Sequence, residues 1–338
     1  MDLACLKTFP KALEQTVSMD NYTSASHNFF TACGVDRASD RRRDEEWLAV
    51  QLQDKATRFV PVWKLYNLFT TGPIPKPILL SPREAQDLIP TAESTVLLGV
   101  KEGSTYLALG LSSRQASPPA CLAELGSFQD LRQVAPLLDE LDGTLLAHAR
   151  AMTYWHCRHR FCGDCGSPTM SLEGGYLRVC TNSQCGQQHF PRTDPAIIVL
   201  VTLGERGLLG RKPSWPASRY STIAGFVEPG ESLEDAVIRE VREETGVKVE
   251  AVHYHSSQPW PFPSSLMLGF TAIASNGTIR VDYEELENAR WFTREQIKSE
   301  MQSGRFKLPS QVSISYRLIE GWFDAGNLGS LRSIPTPG

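Results

Sequence analysis

The segment from Gly225 to Val247, GFVEPGESLEDAVIREVREETGV, admits few conformations, because its punctuation and its periodicity agree. Pro229-Gly230 supplies a turn, and Ser232 followed three residues later by Asp235 is a capping-box-like start, so the spacing predicts a helix over about 233–245. Gly246 then ends it. Along that helix Glu240, Glu243 and Glu244 fall at i, i+3 and i+4, which are neighbours on a helical surface. Leu233, Val237 and Val241 form an apolar stripe bordering the acids. The carboxylates are therefore expected to be half buried, where unpaired negative charge is costly.

A bound divalent cation resolves that cost. Ligands that are all oxygen suit Mg2+ or Mn2+, and Mg2+ binds through few carboxylates while phosphates and waters complete its shell. The competing reading is an exposed acid-rich helix paired internally with Arg239 and Arg242. That reading gives no reason for glycines at both ends, nor for Glu231 and Arg239 in register with the acids.

The whole segment satisfies G-x5-E-x7-R-E-U-x-E-E-x-G-U, where U is aliphatic, and it resembles a Nudix box. The resemblance implies hydrolysis of a nucleoside diphosphate linked to a second group. Glu240 and Glu244 are then expected as metal ligands, with Glu243 supporting the metal cluster or the attacking water. Arg239 is expected to orient the acids by charge-assisted hydrogen bonds, with Glu231 behind it. The carbonyl of Ala224, just before the box, matches a main-chain metal ligand of the same pattern.

Ten residues past the box, Ser257 is followed by Gln258, Pro259, Trp260, Pro261, Phe262, Pro263, Ser264 and Ser265. Two aromatics among three prolines read as a stiff loop presenting flat apolar faces, on which bases and nicotinamide rings stack. A Pro-aromatic loop can equally serve only to cover a core. The array resembles the SQPWPFPxS motif of the NADH pyrophosphatase family within the Nudix hydrolases, which makes NAD(H) the leading substrate and the eight residues from Gln258 to Ser265 candidates for binding it. By the same resemblance Glu285, placed by register against Trp291, completes the metal site, with Glu284 the near alternative. Phe190 falls where relatives often carry tyrosine and keeps a stacking ring, and Ser315 falls at a backbone substrate contact.

Upstream, Cys162, Cys165, Cys180 and Cys185 read C-x2-C-x14-C-x4-C, and both pairs end in Cys-Gly. Four thiolates suit tetrahedral Zn2+, and a closed four-cysteine site has no open position, so this zinc is expected to be structural. Disulfides are the competing reading; nothing at the N-terminus resembles an export signal, which disfavours them. The x4 spacing departs from the commonest ribbon. Cys157 and His159 read as bystanders, and Cys5, Cys33 and Cys121 as ordinary buried or free thiols. Zinc ribbons also bind nucleic acid, but the local charge does not press for it.

With 338 residues, 41% hydrophobic and 21% charged, the chain has the composition of a globular protein of two or three domains. Its net charge of −4 gives no bulk attraction to nucleic acid, although NAD-capped RNA can still enter by its end. The longest apolar run, 196–201, is too short to span a bilayer and reads as a buried strand. No membrane partner is expected. The last residues carry no peroxisomal tripeptide, leaving the cytoplasm as the expected location.

The expected class is α/β: a Nudix α/β/α sandwich with a mixed sheet over 191–335, preceded by a zinc ribbon over 156–190 and a degenerate Nudix-like N-terminal domain over 1–155. In that first part 94–100 and 105–109 read as a hairpin and 131–155 as helical. Residues 36–48 read as a solvated, salt-bridged helix, and 112–119 as a loop within the domain. The expected reaction is metal-assisted attack of water on a pyrophosphate phosphorus of NADH or NAD+, releasing AMP and nicotinamide mononucleotide. The alternatives are ADP-ribose hydrolysis, removal of an NAD cap from RNA, and a non-enzymatic zinc-ribbon adaptor. A homodimer is expected from the resemblance.

Overall fold

A computed structural model describes residues 28–31, 34–112 and 114–336. Cys5 and Cys33 lie outside the described residues, and Cys121 is an exposed free thiol. No described helix is long and apolar enough to cross a membrane.

Strands β1 (Arg58–Trp63), β2 (Tyr66–Phe69), β3 (Ser94–Lys101), β4 (Ser104–Gly110) and β5 (Ser127–Gln129) form a first sheet in the order β3-β4-β1-β2-β5. The expected hairpin is β3–β4, while β1 and β4 pair in parallel. Short helices α1 (Glu45–Gln51), α2 (Pro82–Ala85), α3 (Ala120–Ala123) and α4 (Leu131–Val134) border the sheet, and α5 (Glu140–Arg158) covers one face. Leu145, Leu146, Ala149 and Met152 of α5 pack there on Val60, Val62, Val96 and Leu98. The alternate residues Phe59, Leu97, Leu107 and Leu109 pack on the opposite side with Leu80, Leu88 and Leu122.

Two helical expectations in this half need correction. The stretch 131–155 is not one helix: Pro136, which lacks the N–H to continue a ladder, lies in a 3-10 turn, and Asp139 caps a fresh start at Glu140. The charged run before Trp47 is not one helix: Ser39–Arg41 is a 3-10 turn, and the α-helix begins only at Glu45, where the Asp44 carboxylate accepts from the Trp47 amide.

A small sheet of β6 (Thr169–Leu172), β7 (Leu177–Cys180) and β8 (Gln188–His189) follows. Beyond it come β9 (Asp194–Leu203), β10 (Arg206–Arg211), β11 (Ile223–Phe226), α6 (Leu233–Thr245), β12 (Val249–Trp260), β13 (Ser265–Ala274), β14 (Asn288–Thr293), α7 (Arg294–Gln302) and α8 (Ile314–Asp324). The larger sheet runs β12-β13-β9-β10-β14, and it is mixed because β13 lies parallel to β9. The apolar run expected to be a buried strand is β9, and its alternation makes the sandwich. Ile197, Val199 and Val201 meet Val237 and Val241 of α6 on one face. Ile198 and Leu200 meet Ile314, Leu318 and Phe323 of α8 on the other. A strand covered on both sides has to be apolar at every position.

The strands β10 and β11 share one edge of β9, with β10 against 201–203 and β11 against 196–199. Between them the sheet forks. The chain from Lys212 to Thr222 leaves through that fork, and the site described next lies at its mouth. The segment 257–265 is not a loop: its first four residues are the end of β12, and only 261–264 form the turn into β13.

Candidate active site

Helix α6 spans Leu233 to Thr245 as its sequence requires. The Ser232 hydroxyl accepts from the Asp235 amide at 3.1 Å, and Gly246 closes the helix at φ 69°. Glu240 and Glu244 are buried on the face that meets the sheet, while Glu243, one position round, is exposed. The half-buried patch expected from spacing is thus two buried carboxyls and one wet one.

Arg239 organises these groups. Its Nε and one terminal nitrogen grip both oxygens of Glu231 at 2.7 and 2.9 Å, and that second nitrogen also donates to the Phe226 carbonyl at 2.9 Å. The other nitrogen donates to Glu240 at 2.8 Å and Glu243 at 3.1 Å. All of the guanidinium's N–H donors are thereby used, a division of labour that a lysine cannot reproduce. The forked grip, helped by the Glu228 amide, holds the Glu231 carboxyl down to about 2.

Glu240 reaches its place because Gly225 has no side chain. A Cβ built on Gly225 stands 1.9 Å from the Glu240 carboxyl carbon and from one of its oxygens. The glycine at the head of the box is therefore a space requirement, made by β11 lying directly under the carboxylate. Strand pairing also sets the neighbouring carbonyl. In the β11–β9 register Ala224 and Phe226 alternate with the residues bonded to β9, so both carbonyls point away from that strand. The Phe226 oxygen faces Arg239 there, and the Ala224 oxygen lies on the same side.

Burial pushes both carboxyls up. Glu240 rises through desolvation against the opposing pull of Arg239. Glu244, 2% exposed, is pushed up to about 8 by desolvation, with Lys212 opposing and the carboxylates of Glu240 and Glu285 adding. One Glu244 oxygen has no partner among the described residues. Glu285 lies close enough to hydrogen-bond Glu244, whereas the Glu284 amide is turned toward Asp282. An orphaned carboxylate oxygen, a second buried carboxyl and a third acid alongside form a set whose chemistry fits a hard divalent cation.

Glu244, Ala224 and Lys212 line a cavity of about 360 Å3 with Thr222, Trp260 and Ser315. Ser315 is 2% exposed, and its hydroxyl is spent on Ser221 at 2.8 Å and Thr222 at 2.8 Å, tying the start of α8 to the fork. Gln258 is wholly buried, and its amide is also spent. It donates to the Phe29 and Val312 carbonyls at 2.9 and 2.7 Å and accepts from the Ile314 amide at 2.8 Å. Trp260 is the only aromatic of the array that lines this cavity.

The rest of the array turns elsewhere. Pro259, Pro261, Ser264 and Ser265 border a neighbouring cleft, and Pro263 sits in the turn after a cis peptide. Phe262 packs against the first sheet's domain, with the Arg132 and Arg150 guanidinium carbons 4.7 and 4.9 Å from its ring centroid. Asn28 donates to Ser256 and Ser257, both at 2.9 Å, so the start of the described chain also grips β12. Phe190 is 61% exposed and lines neither cavity. Sequence reasoning missed Lys212, a single lysine in an irregular stretch, and the contacts of Asn28, Arg132 and Arg150. No periodicity marks any of them.

The four cysteines converge. Their sulfurs lie within 4.8 Å of one another, with Cys162–Cys185 at 3.8 Å and Cys165–Cys180 at 3.4 Å. Tetrahedral Zn–S bonds of about 2.3 Å place sulfurs about 3.8 Å apart, so the set fits zinc. Gly166 and Gly186 take φ 73° and 60°, making the two tight turns after Cys165 and Cys185. None of the described cysteines is in a disulfide. Cys157 and His159 stay outside the cluster, Cys157 against Glu93 and His159 against the Trp155 carbonyl.

Comparison with known proteins agrees with this architecture. Residues 192–311 match the NUDIX domain, 56–155 the NADH pyrophosphatase-like rudimentary NUDIX domain, and 158–190 the NADH pyrophosphatase zinc ribbon domain. NAD-capped RNA hydrolase NUDT12 of Homo sapiens is 34% identical over 346 positions, covering 90% of this chain and 75% of that protein. NAD(P)H pyrophosphatase NUDT13, mitochondrial, of Mus musculus is 38% identical, covering 71% of this chain and 74% of that protein. NAD-capped RNA hydrolase NudC of Stutzerimonas stutzeri is 46% identical, covering 57% and 66%. With its box folded into a buried carboxyl site and its cysteines gathered into a ribbon, the chain belongs to the NADH pyrophosphatase family of Nudix hydrolases.

Proposed function

We propose that this chain hydrolyses the pyrophosphate bond of NADH or NAD+, giving AMP and the reduced or oxidised nicotinamide mononucleotide. The single observation that carries the reading is Glu244, buried with an unpartnered oxygen beside Glu240 and Glu285 in a cavity bounded by Trp260. Glu240, Glu244, Glu285 and the Ala224 carbonyl are the residues to hold Mg2+ or Mn2+. When bound, such cations lower the pKa of the attacking water and screen the charge that accumulates on the phosphate oxygens.

The chain's own residues do the rest. Arg239 fixes the Glu240 carboxylate, and Glu231 fixes Arg239. Lys212 brings positive charge to the cavity wall, where the bridging phosphates sit, and Trp260 offers a face to a ring. Glu243, the exposed acid of the same helix, is our candidate to take the proton that water loses and pass it on. One oxygen–phosphorus bond forms, the bridging one breaks, and the proton leaves for solvent or the departing phosphate.

Two further relatives' names favour removal of an NAD cap from RNA as a second activity of the same site. We take 1–155, 156–190 and 191–335 as the three units, zinc as the occupant of the cysteine cluster, the cytoplasm as the location and a homodimer as the working form. Phe190 is exposed and lines neither of the two cavities described above, so its stacking role belongs to this proposal. The deciding experiment incubates the protein with NADH, NAD+, ADP-ribose and NAD-capped RNA, each with Mg2+ or Mn2+, and identifies products by mass. AMP and nicotinamide mononucleotide from NADH, lost in Glu244→Gln, are expected. Absence of metal-dependent turnover on every dinucleotide would revive the adaptor reading.

A further inference from the structure

The second cleft, on the far side of Trp260, has the chemistry of a ligand site; it shares Pro259, Pro261, Ser264 and Ser265 with the array but holds none of the acids of α6. It encloses about 530 Å3 between α5 of the first domain and the strand ends that frame the 261–264 turn, a size usual for small-molecule sites. Arg37, Arg158 and Arg192 contribute to its wall, as do the rings of Tyr154, Trp155 and Trp260. The one carboxylate there, Asp194, is already engaged by Arg192 at 2.6 Å and by the Ser264 hydroxyl at 2.7 Å. Arg158, and Arg37, whose guanidinium meets the His148 ring at 2.8 Å, have no acidic partner among the described residues, so the wall carries positive charge that no carboxylate offsets.

Trp155 supplies an independent sign. It is 3% exposed, and its indole N–H has no hydrogen-bond partner among the described residues. A buried donor left unmade costs free energy, which an acceptor on a bound molecule would recover. Guanidinium groups suit phosphate, and flat aromatic faces suit a base. We propose that this cleft is a nucleotide site, taking a base together with its phosphate, separate from the catalytic cavity and joined to it through the shared Trp260. The proposal rests on the catalytic reading only for its neighbour. The nucleotide is either the next residue of an RNA chain whose cap occupies the catalytic cavity or a free nucleotide that binds alone.

The test uses the full chain with zinc retained and no Mg2+ or Mn2+ added. AMP affinity and stoichiometry are measured by calorimetry for the native protein, Arg158→Gln and Trp155→Phe. Arg158 is exposed, so its substitution leaves the fold intact, while phenylalanine keeps an aromatic ring at 155 but loses the donor together with the five-membered ring of a core side chain, so the Tm of that variant is read beside its AMP binding. Each variant is expected to weaken one class of AMP site by about tenfold, the loss of one hydrogen bond to a charged group, with NADH turnover within about twofold of native by the same reckoning. A matching fall in turnover of an NAD-capped oligonucleotide, with NADH turnover kept, identifies the chain as the source. An AMP effect on NADH turnover that both variants abolish identifies the free nucleotide. Unchanged AMP binding in both variants overturns the proposal, and so does a loss of NADH turnover as large as the loss of AMP binding. Because AMP binding is read without catalysis, failure of the pyrophosphatase reading would leave this result intact.

Discussion

Replacing Gly225 by alanine separates catalysis from stability more cleanly than removing any carboxylate. The new Cβ would stand 1.9 Å from the Glu240 carboxyl carbon, and real Cβ contacts essentially never fall below 3.0 Å, so one of the two must move by at least 1.1 Å (3.0 − 1.9). Gly225 is held in β11 by its pairing with Ile197, so the movement falls on the Glu240 side chain, whose carboxylate is held by one hydrogen bond from Arg239. A misplacement of that size at a reacting centre costs on the order of 100-fold in rate, or about 2.7 kcal/mol of transition-state stabilisation. The stability ledger runs the other way. Glu240 is a buried carboxyl pushed up by desolvation, and letting it swing toward water relieves that burden. Alanine also restricts the unfolded chain, a gain of about 0.4–1 kcal/mol. We therefore expect Gly225→Ala to unfold within a few degrees of native in a calorimeter while kcat/KM on NADH falls by about two orders of magnitude. Turnover at the native level, or a large loss of Tm accompanying the loss of rate, would refute the assignment of Gly225 as space for a working carboxylate.

Three further outcomes follow from the same geometry. Glu244 has a folded value of about 8 against 4.5 when unfolded, so the folded metal-free protein holds the extra proton. Its stability should be fully present below about pH 4.5 and fall as pH rises through about 8, by up to about 5 kcal/mol; Mn2+ affinity should rise about tenfold per pH unit over that window and level off above it, and a flat affinity from pH 6 to 8 would contradict this. Cys180→Ser should lose the metal, measured as zinc per chain by mass spectrometry, and with it a binding free energy on the order of 10 kcal/mol that the ribbon needs to fold. Arg132→Met removes one of the two cations over Phe262 and should raise KM for NADH by about two- to fivefold with kcat kept, since a cation–π contact is worth roughly 0.5–1 kcal/mol at an exposed site; an unchanged KM would mean that the first domain does not steady the array.

The sequence by itself determined what short-range spacing determines. A helix with fixed ends has one register, so Glu240, Glu243 and Glu244 had to share a face, and β9 had to be covered on both sides because it is apolar at successive positions. The cysteine pairs were legible for the same reason, since a tight turn brings residues three to five apart within reach of one ion. Glu285 was reached through its register against Trp291. Tertiary packing decided the rest, because burial, charge and access depend on neighbours that are distant in the chain. Only the approach of β11 under α6 shows that Gly225 is a space for Glu240. Only the fork between β10 and β11 sets Lys212 near Glu244, and only the first domain explains why Phe262 lies under two arginines while Trp260 stands between two cavities. A nine-residue motif reads as one surface along the chain, but a strand ending in a tight turn sends alternate side chains to opposite sides, and each side found a different partner.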